Sequence, residues 1–293
     1  MTRPTTSTST STVTMTDGRL VAVDEVGDPA GPAVVLLHSA PGSRSLDPDP
    51  AATAAAGIRL ITVDRAGYGD STPLPADVLP SLPGQADDVV AVLDHLGVAD
   101  AAIVGWSHGG RLAAALAAGH PDRVRAIAVV GTPSPEDLSW IPAEQQAMLD
   151  PLRAEPLTAT ARLAAILEAA GGDPGDGAGD EAALAFVAGE GDQLLLADPA
   201  VRERVVAMLA GAFAQGAVGC AADIVADQIA PWGFDARAIG APVHLVYSED
   251  DFVGPHHGDW WEAQVVDATR HTTRGVGHLL IVTEWARILD ALA

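Results

Sequence analysis

Ser107, in the stretch GWSHG at residues 105–109, is the side chain of this sequence whose surroundings point most directly to chemistry. The apolar run 101–104 before it predicts a short buried strand, and the alanine- and leucine-rich run 110–118 predicts a helix. A strand that turns directly into a helix around Gly-x-Ser-x-Gly holds the serine in a strained turn. Glycines are needed there because a Cβ would collide with the neighbouring strand and helix. The pattern predicts a nucleophile.

A serine hydroxyl needs a base to take its proton, and a third group to hold that base. His278 is the candidate base, because it follows the last weak strand and comes after both serine and acid in the chain. The acid should follow the strand Val243–Tyr247, where Asp250 and Asp251 are adjacent. When the position of the acid is counted from the end of the strand, it falls on Asp251. When it is counted back from the downstream helix, Asp250 fits better. We prefer Asp251 because strand ends are held more rigidly than loops.

The oxyanion of a tetrahedral intermediate needs two N–H donors. The main chain of His108, directly after the nucleophile, is one candidate. The second candidate is the N–H of Ala40, in the loop HSAPG (residues 38–42) after the strand Val34–Leu37. The helix after the serine also directs the positive end of its dipole towards this point.

Composition limits the possible partners. The chain has 293 residues, 48% of them apolar, and a formal net charge of −23. Such a surface repels phosphate backbones and anionic membranes, so we expect a small-molecule substrate and neither nucleic acid nor membrane as partner. No run of about 20 apolar residues predicts a membrane span. A cytoplasmic location is expected, and the sequence does not specify the oligomeric state.

Strand-like and helical segments alternate through the first half of the chain. Ile58–Val63 and Ile127–Val130 are predicted strands, and Arg19–Val26 with Ala33–Leu37 is predicted to form a hairpin. This alternation implies an α/β fold with a mainly parallel sheet flanked by helices. Such sheets carry their sites at the carboxyl ends of the strands, where the serine turn falls.

Four segments are predicted. Residues 1–17 form a Thr/Ser-rich disordered tail, and residues 18–132 form the first part of the core. Residues 133–231 contain helical runs and no convincing strand, which predicts a helical cap. Residues 232–293 complete the core.

These motifs together resemble the α/β-hydrolase superfamily, over nearly the whole chain from Gly18 onwards. HSAPG (38–42) is similar to its His-Gly-x-Pro-Gly oxyanion loop, and DRAGYGDS (64–71) is similar to its Asp-x-x-Gly-x-Gly-x-Ser turn. The serine turn resembles the nucleophile elbow, and Asp251 and His278 match the acid and histidine loops. The resemblance implies an eight-stranded sheet with a helical cap inserted after the sixth strand.

The chain departs from the pattern at three places. Ser39 replaces the usual glycine of the oxyanion loop, and the acid loop is one residue short. His108 is bulkier than the residues that often follow the nucleophile.

The resemblance implies a serine hydrolase that cleaves a small ester-type substrate through a Ser-His-Asp triad and an acyl-enzyme, without a cofactor or metal. Haloalkane dehalogenases and epoxide hydrolases of the superfamily attack with a carboxylate at the elbow, and Ser107 is not one. One alternative is a proline-iminopeptidase-like peptidase, whose relatives capture a substrate ammonium with cap carboxylates. Another is a non-catalytic member that binds a small ligand. The cap carboxylates considered for the peptidase are Glu136, Asp137, Glu144 and Asp150.

Other polar and aromatic residues are interpreted structurally. His256 and His257 with Asp259 could suggest a metal site, but adjacent histidines rarely point at one ion. Asp64 and Arg65 are expected to tie the following glycine turn. Four tryptophans near the cap boundaries are expected to pack at the domain seam: Trp140, Trp232, Trp260 and Trp261.

Overall fold

The computed structural model describes residues 7–135, 141–170 and 177–293. Eight strands form one sheet in the order β1-β2-β4-β3-β5-β6-β8-β9. β1 and β4 each pair antiparallel with β2, and all other pairs are parallel. The strands are β1 (Ser7–Thr14), β2 (Leu20–Gly27), β3 (Ala33–Leu37), β4 (Arg59–Val63), β5 (Ala101–Trp106), β6 (Val124–Val130), β7 (Ala214–Ala217), β8 (Val243–Ser248) and β9 (Ala268–Thr273). The predicted eight-stranded, mainly parallel sheet is confirmed.

The structure describes twelve helices: some cover the two faces of the sheet, and the others belong to the segment between β6 and β8. They are α1 (Pro50–Ala56), α2 (Leu82–His95), α3 (His108–Gly119), α4 (Ala143–Arg153), α5 (Pro156–Ala170), α6 (Gly177–Leu184), α7 (Gln193–Leu196), α8 (Pro199–Ala212), α9 (Val218–Gln228), α10 (His256–Gln264), α11 (Leu280–Thr283) and α12 (Trp285–Ala291). Of the described helices, none is both long and apolar enough to cross a bilayer.

The central strands are buried on both faces, as parallel strands between two helical layers must be. Val35 and Ile103 belong to the apolar cluster on one face, with residues of α2 and α3. Leu36 and Val104, one position further along, belong to the cluster on the other face, with residues of α8 and α12. Successive side chains point to opposite faces, so each central strand contributes to both layers.

The prediction of a disordered tail is wrong for residues 7–14, and residues 1–6 lie outside the described residues. Ser7–Thr14 forms the edge strand β1, in register with β2 from Ser7 opposite Gly27 to Thr14 opposite Leu20. Threonine is β-branched and favours strands even where it is polar. Val13 is 3% exposed and anchors the strand to the core.

The predicted hairpin of β2 with β3 is also wrong. β4 lies between these two strands, pairing antiparallel with β2 and parallel with β3. Every residue of β3 is buried, so this strand needs a neighbour on each side, and β4 and β5 supply them.

The cap, by which we mean described residues 141–170 and 177–231, follows the sixth strand as expected. It contains helices α4 to α9 and one short strand, β7, which lies outside the eight-stranded sheet and was not predicted. An apolar cluster of its own joins α4, α5 and α9 through Leu149, Leu163 and Val225. The cap is therefore packed as a small helical layer and is not an extended loop.

Candidate active site

Ser107 lies in the turn between β5 and α3 with φ of 57° and ψ of −119°. Within the described ranges it is the one non-glycine residue with positive φ, a conformation that costs energy and is retained at functional turns. A Cβ on Gly105 would touch the carbonyl oxygen of Gly109, and a Cβ on Gly109 would touch that of Leu37. The predicted reason for both glycines is confirmed.

His278 follows β9 and is 2% exposed. Its Nδ1 lies 3.0 Å from each carboxylate oxygen of Asp251. Asp251, in the turn after β8, is also buried, and its Oδ1 accepts the N–H of Val253 at 3.0 Å. A neutral imidazole that donates from Nδ1 to a carboxylate keeps its lone pair on Nε2. The arrangement therefore leaves Nε2 to act as a base.

Asp250, the alternative acid, occupies a different place. It is exposed, and its carboxylate accepts the N–H of Gly275 at 2.6 Å. Its own N–H donates to the hydroxyl of Ser248 at 3.2 Å. The geometry places Asp251 beside the ring of His278 and Asp250 on the outer side of the loop.

Ser107 and His278 line one cavity of about 70 Å³ together with Ala40 and His108. Four of the predicted site residues thus meet at the carboxyl ends of β3, β5 and β9. The other described lining residues are Pro133, Phe186, Ile224, Asp227, Gln228 and Phe252. The Phe252 ring lies 4.4 Å from that of His278, so the imidazole is shielded from bulk water.

The loop that carries Ala40 is held by Arg65. The guanidinium donates to the carbonyl oxygens of His38 at 2.9 Å and Ser39 at 2.8 Å. The hydroxyl of Ser39 donates to the carbonyl oxygen of Pro41 at 2.5 Å. Ser39 therefore satisfies its hydroxyl inside the loop, which accommodates its replacement of the usual glycine. From the sequence we expected Arg65 to tie only the following glycine turn, and its contact with the Ala40 loop was not predicted.

Five charged or titratable side chains form a buried network between the core and α9, which we call the α9 cluster: Arg65, His108, Arg111, Asp223 and Asp227. Arg65 Nη2 lies 2.6 Å from Asp223 Oδ2, and Arg111 Nη1 lies 3.0 Å from Asp227 Oδ2. His108 lies between the two carboxylates, with Nε2 3.2 Å from Asp223 Oδ1 and Nδ1 2.9 Å from Asp227 Oδ1. His108, the residue after Ser107, is thereby joined to the cap.

In the α9 cluster, oppositely charged neighbours shift the pKa of His108 and that of Asp223 towards the ionised form. Burial alone would lower the pKa of His108, but the carboxylates of Asp223 and Asp227 outweigh it and raise the pKa above its ordinary value. Burial alone would raise the pKa of Asp223, but Arg65 and His108 hold it well below the ordinary range. Gln85 completes the network, with Oε1 2.9 Å from His108 Nε2 and Nε2 2.8 Å from Asp223.

A second cap carboxylate, Asp192, reaches the histidine loop. It lies in the 3-10 turn Glu190–Asp192, is fully buried, and accepts N–H groups from Gly277, His278 and Leu279, each at 3.0 Å. Burial raises the pKa of Asp192, and these N–H groups oppose that effect. Sequence reasoning missed Asp192, Asp223 and Asp227, because no local motif marks a residue that acts across 85 or more positions.

The remaining interpretations from the sequence have mixed outcomes. His257 is buried, with Nδ1 3.1 Å from both the N and the Oγ of Ser134. Among described residues there is no group of three potential metal ligands. Trp232 stacks with Trp261 at 5.9 Å and meets Trp260 edge-on, so these three pack together as expected. Trp140 lies outside the described residues.

Of the four cap carboxylates considered for a peptidase, the structure describes two, Glu144 and Asp150. Glu136 and Asp137 lie outside the described residues. Neither Glu144 nor Asp150 is among the described residues that line the cavity. Asp150 is exposed and pairs with Arg153 at 2.5 Å. Asp227 is the carboxylate that lines the cavity in the described part of the chain.

A family model and several known proteins match part of this sequence. A family model described as alpha/beta hydrolase fold matches residues 32–162. Bifunctional epoxide hydrolase 2 of Sus scrofa is 40% identical over 108 residues, which are 36% of this chain and 19% of that protein. The pimeloyl-[acyl-carrier protein] methyl ester esterase of Aeromonas hydrophila is 34% identical over 112 residues, 38% of this chain and 41% of that protein. The aligned region thus spans less than half of either curated relative.

Structural similarity extends over almost the whole chain. The crystal structure of an esterase from Rhodococcus sp. ECU1013 superposes with a TM-score of 0.69 at 23% identity, covering 97% of each chain. At that identity the likeness shows the fold. Together with the matched family model, the eight-stranded sheet and the serine turn, it shows that this chain has the α/β-hydrolase fold.

Proposed function

We propose that this protein is a serine hydrolase that cleaves a small ester-type substrate through an acyl-enzyme. The observation that supports this most directly is that Ser107 and His278 line one cavity while Asp251 binds the far side of the histidine ring. These side chains come from three loops that are distant in the chain. A protein that only bound a ligand would have no need of the combination.

In the first half-reaction, His278 Nε2 takes the hydroxyl proton of Ser107 while Oγ bonds to the substrate carbonyl carbon. The carbonyl electrons move to oxygen, and the N–H groups of Ala40 and His108 bind the resulting oxyanion. Asp251 stabilises the imidazolium. The carbonyl re-forms as the bond to the leaving oxygen breaks, and His278 gives its proton to the departing alcohol.

In the second half-reaction, a water molecule takes the place of the alcohol. His278 removes one proton from the water as its oxygen attacks the acyl carbon. Collapse of the second tetrahedral intermediate breaks the bond to Ser107 Oγ, which recovers its proton from the imidazolium. The products are the carboxylic acid and free enzyme.

The nucleophile argues against epoxide opening, even though epoxide hydrolases are among the aligned relatives. By resemblance, that reaction uses a carboxylate at the elbow, and this chain has Ser107 there. A serine oxygen that loses its proton to a histidine attacks carbonyl carbons readily. Ester hydrolysis is therefore preferred.

The cavity indicates a short acyl group. Its volume of about 70 Å³ is small beside typical small-molecule pockets, which are roughly 300–1,000 Å³. Phe186, Ile224 and Phe252 make much of its wall apolar. We therefore expect acetyl and propionyl esters to be cleaved faster than long-chain esters.

Two alternatives remain as outcomes of the experiment. A proline-iminopeptidase-like enzyme would bind a substrate ammonium, but Asp227 is already held by Arg111 and His108. A non-catalytic binder would keep the cavity without a reactive serine. We further propose a small-molecule ligand, rather than nucleic acid or membrane, for a protein of net charge −23, and the cytoplasmic location stays a prediction.

A fluorophosphonate probe and a substrate panel test the proposal. We expect the wild-type protein to react with the probe and Ser107→Ala to remain unlabelled. Ser45→Ala, which removes an exposed hydroxyl outside the cavity, is the control and should label normally. The panel contains esters and aminoacyl amides of increasing length. A folded wild-type protein that takes no label refutes the proposal, and preferential cleavage of prolyl amides supports the peptidase instead.

A further inference from the structure

We propose that Asp192 is a positioning residue through which the cap fixes His278 for reaction with Ser107. The inference rests on the proposed function. Its basis is that a single cap carboxylate binds three successive main-chain N–H groups of the histidine loop, those of Gly277, His278 and Leu279.

The contact has the character of an internal anion site. Successive N–H groups that converge on one point form a concave site for negative charge. The two oxygens of Asp192 occupy that site and also accept the N–H of Gly189 at 2.8 Å. The side chain is fully buried, where an ionised carboxylate is stable only if it is well hydrogen-bonded. Hydrogen bonds to an ionised acceptor are about twice as strong as neutral ones.

Two glycines permit this approach. A Cβ on Gly277 would collide with the carboxylate of Asp192. A Cβ on Gly191 would come within 2.8 Å of the nitrogen of Gly277 and 2.9 Å of the carbonyl oxygen of Asp250. The cap turn and the histidine loop therefore pack main chain against main chain. Such packing transmits a displacement of one segment directly to the other.

The consequence for His278 is that it is held from three directions. Asp192 binds its main-chain N–H at 3.0 Å, and Trp106 Nε1 donates to its carbonyl oxygen at 2.9 Å. Asp251 binds ring Nδ1. Trp106 precedes Ser107 in the chain, so its bond ties the histidine to the elbow. Asp192 fixes the main chain of His278 on the side that faces the cap. Without this contact the imidazole can move away from Ser107.

The test uses Asp192→Asn, which keeps the shape of the side chain but turns an amide NH₂ towards the loop N–H groups. Asp198→Asn is the matched control, because it removes one carboxylate from an exposed cap position. The measurements are the second-order rate of fluorophosphonate labelling, and kcat and KM on the preferred ester, each across pH. Activities are normalised to the folded fraction determined by circular dichroism.

For Asp192→Asn we expect labelling rate and kcat to fall about 100-fold, the scale for misplacing a catalytic group by about 1 Å. KM should change by less than about 3-fold, because Asp192 is not among the described residues that line the cavity. The acidic limb of the rate profile should move to lower pH, because a negative charge that favours the protonated ring has been removed. Asp198→Asn should match wild type.

A second variant covers the case in which Asp192→Asn does not fold. Gly277→Ala keeps the charge and pushes Asp192 away, so it should lower kcat with little movement of the acidic limb. Folded Asp192→Asn with wild-type kcat and pH profile overturns the proposal, as does wild-type kcat in Gly277→Ala. A wild-type protein that does not label through Ser107 overturns the proposed function instead.

Discussion

The sheet and the cap hold the candidate active site by different forces. On the sheet side, Ser107 and His278 follow strands whose residues pack in apolar layers, and backbone turns set their positions. On the cap side, Asp192, Asp223 and Asp227 reach the same loops as buried carboxylates. The sheet contacts are numerous and individually weak. The cap contacts are few and individually strong.

The difference has an energetic consequence. An apolar contact tolerates a small change of shape, and several neighbours share the cost. A buried carboxylate that loses its partner remains as an uncompensated charge. Substitution of a carboxylate in the α9 cluster should therefore act mainly on stability, and substitution of Ser107, His278 or Asp251 should act mainly on rate. Variants of the two regions test whether this division holds.

The largest expected effect is on the sheet side. Asp251→Asn should lower kcat about 10⁴-fold, because the histidine then loses the carboxylate that sets its tautomer. Asp250→Asn, one residue away and exposed, should stay within about 3-fold of wild type. Steady-state kinetics on the best ester measures both. Equal losses in the two variants would show that the acid loop rearranges.

The next largest effect is expected in the α9 cluster. Asp223→Asn leaves Arg65 without its buried partner, which should lower the free energy of unfolding by about 3–5 kcal/mol. Urea denaturation followed by circular dichroism measures it, with Asp198→Asn as the exposed cap control. A loss below about 1 kcal/mol would mean that the buried pair stabilises the protein no more than a surface ion pair does.

A smaller effect is expected in the pH dependence of stability. The pKa of His108 is raised in the folded state, so its ion pairs contribute fully below the unfolded-state pKa of about 6.5. Their contribution is lost as pH rises through the folded-state pKa, so stability should fall across that window. His108→Gln should flatten this part of the curve, measured as the melting temperature at successive pH values. An unchanged slope would mean that another group is responsible.

The smallest effect on stability is expected for an exposed ion pair. Arg274 pairs with Glu249 at 2.8 Å, but their side chains are 77% and 45% exposed. Arg274→Ala should leave the free energy of unfolding close to that of the wild type, because water already solvates both charges. Urea denaturation in parallel with Asp223→Asn gives the ratio of a buried to an exposed pair. A ratio near one would contradict the distinction between the two regions.

Much of the fold was predictable from local pattern. The strand before Ser107, the helix after it and the two flanking glycines depend on neighbours within a few residues, and the structure contains all of them. The errors arose where pairing decided the outcome. Residues 7–14 look unstructured alone, because only the partner strand β2 gives their N–H and C=O groups something to bind. The position of β4 between β2 and β3 was hidden for the same reason.

The candidate site was likewise predictable only where local motifs mark its residues. The positions of Ser107 and His278 at one cavity followed from motif order, and the sequence left Asp250 and Asp251 as alternatives that distance separated. No local motif identifies Asp192, since its partners in the histidine loop lie 85 to 87 residues further along the chain.

The sequence by itself determined the local shapes: which segments become strands, where the backbone must turn, and which side chains can take or give a proton. Periodicity and glycine placement encode these because they depend on sterics over a few residues. Tertiary structure alone decided which carboxylates lie against the histidine and its loop. That choice depends on desolvation and on distances between segments far apart in the chain, which no short stretch of residues contains.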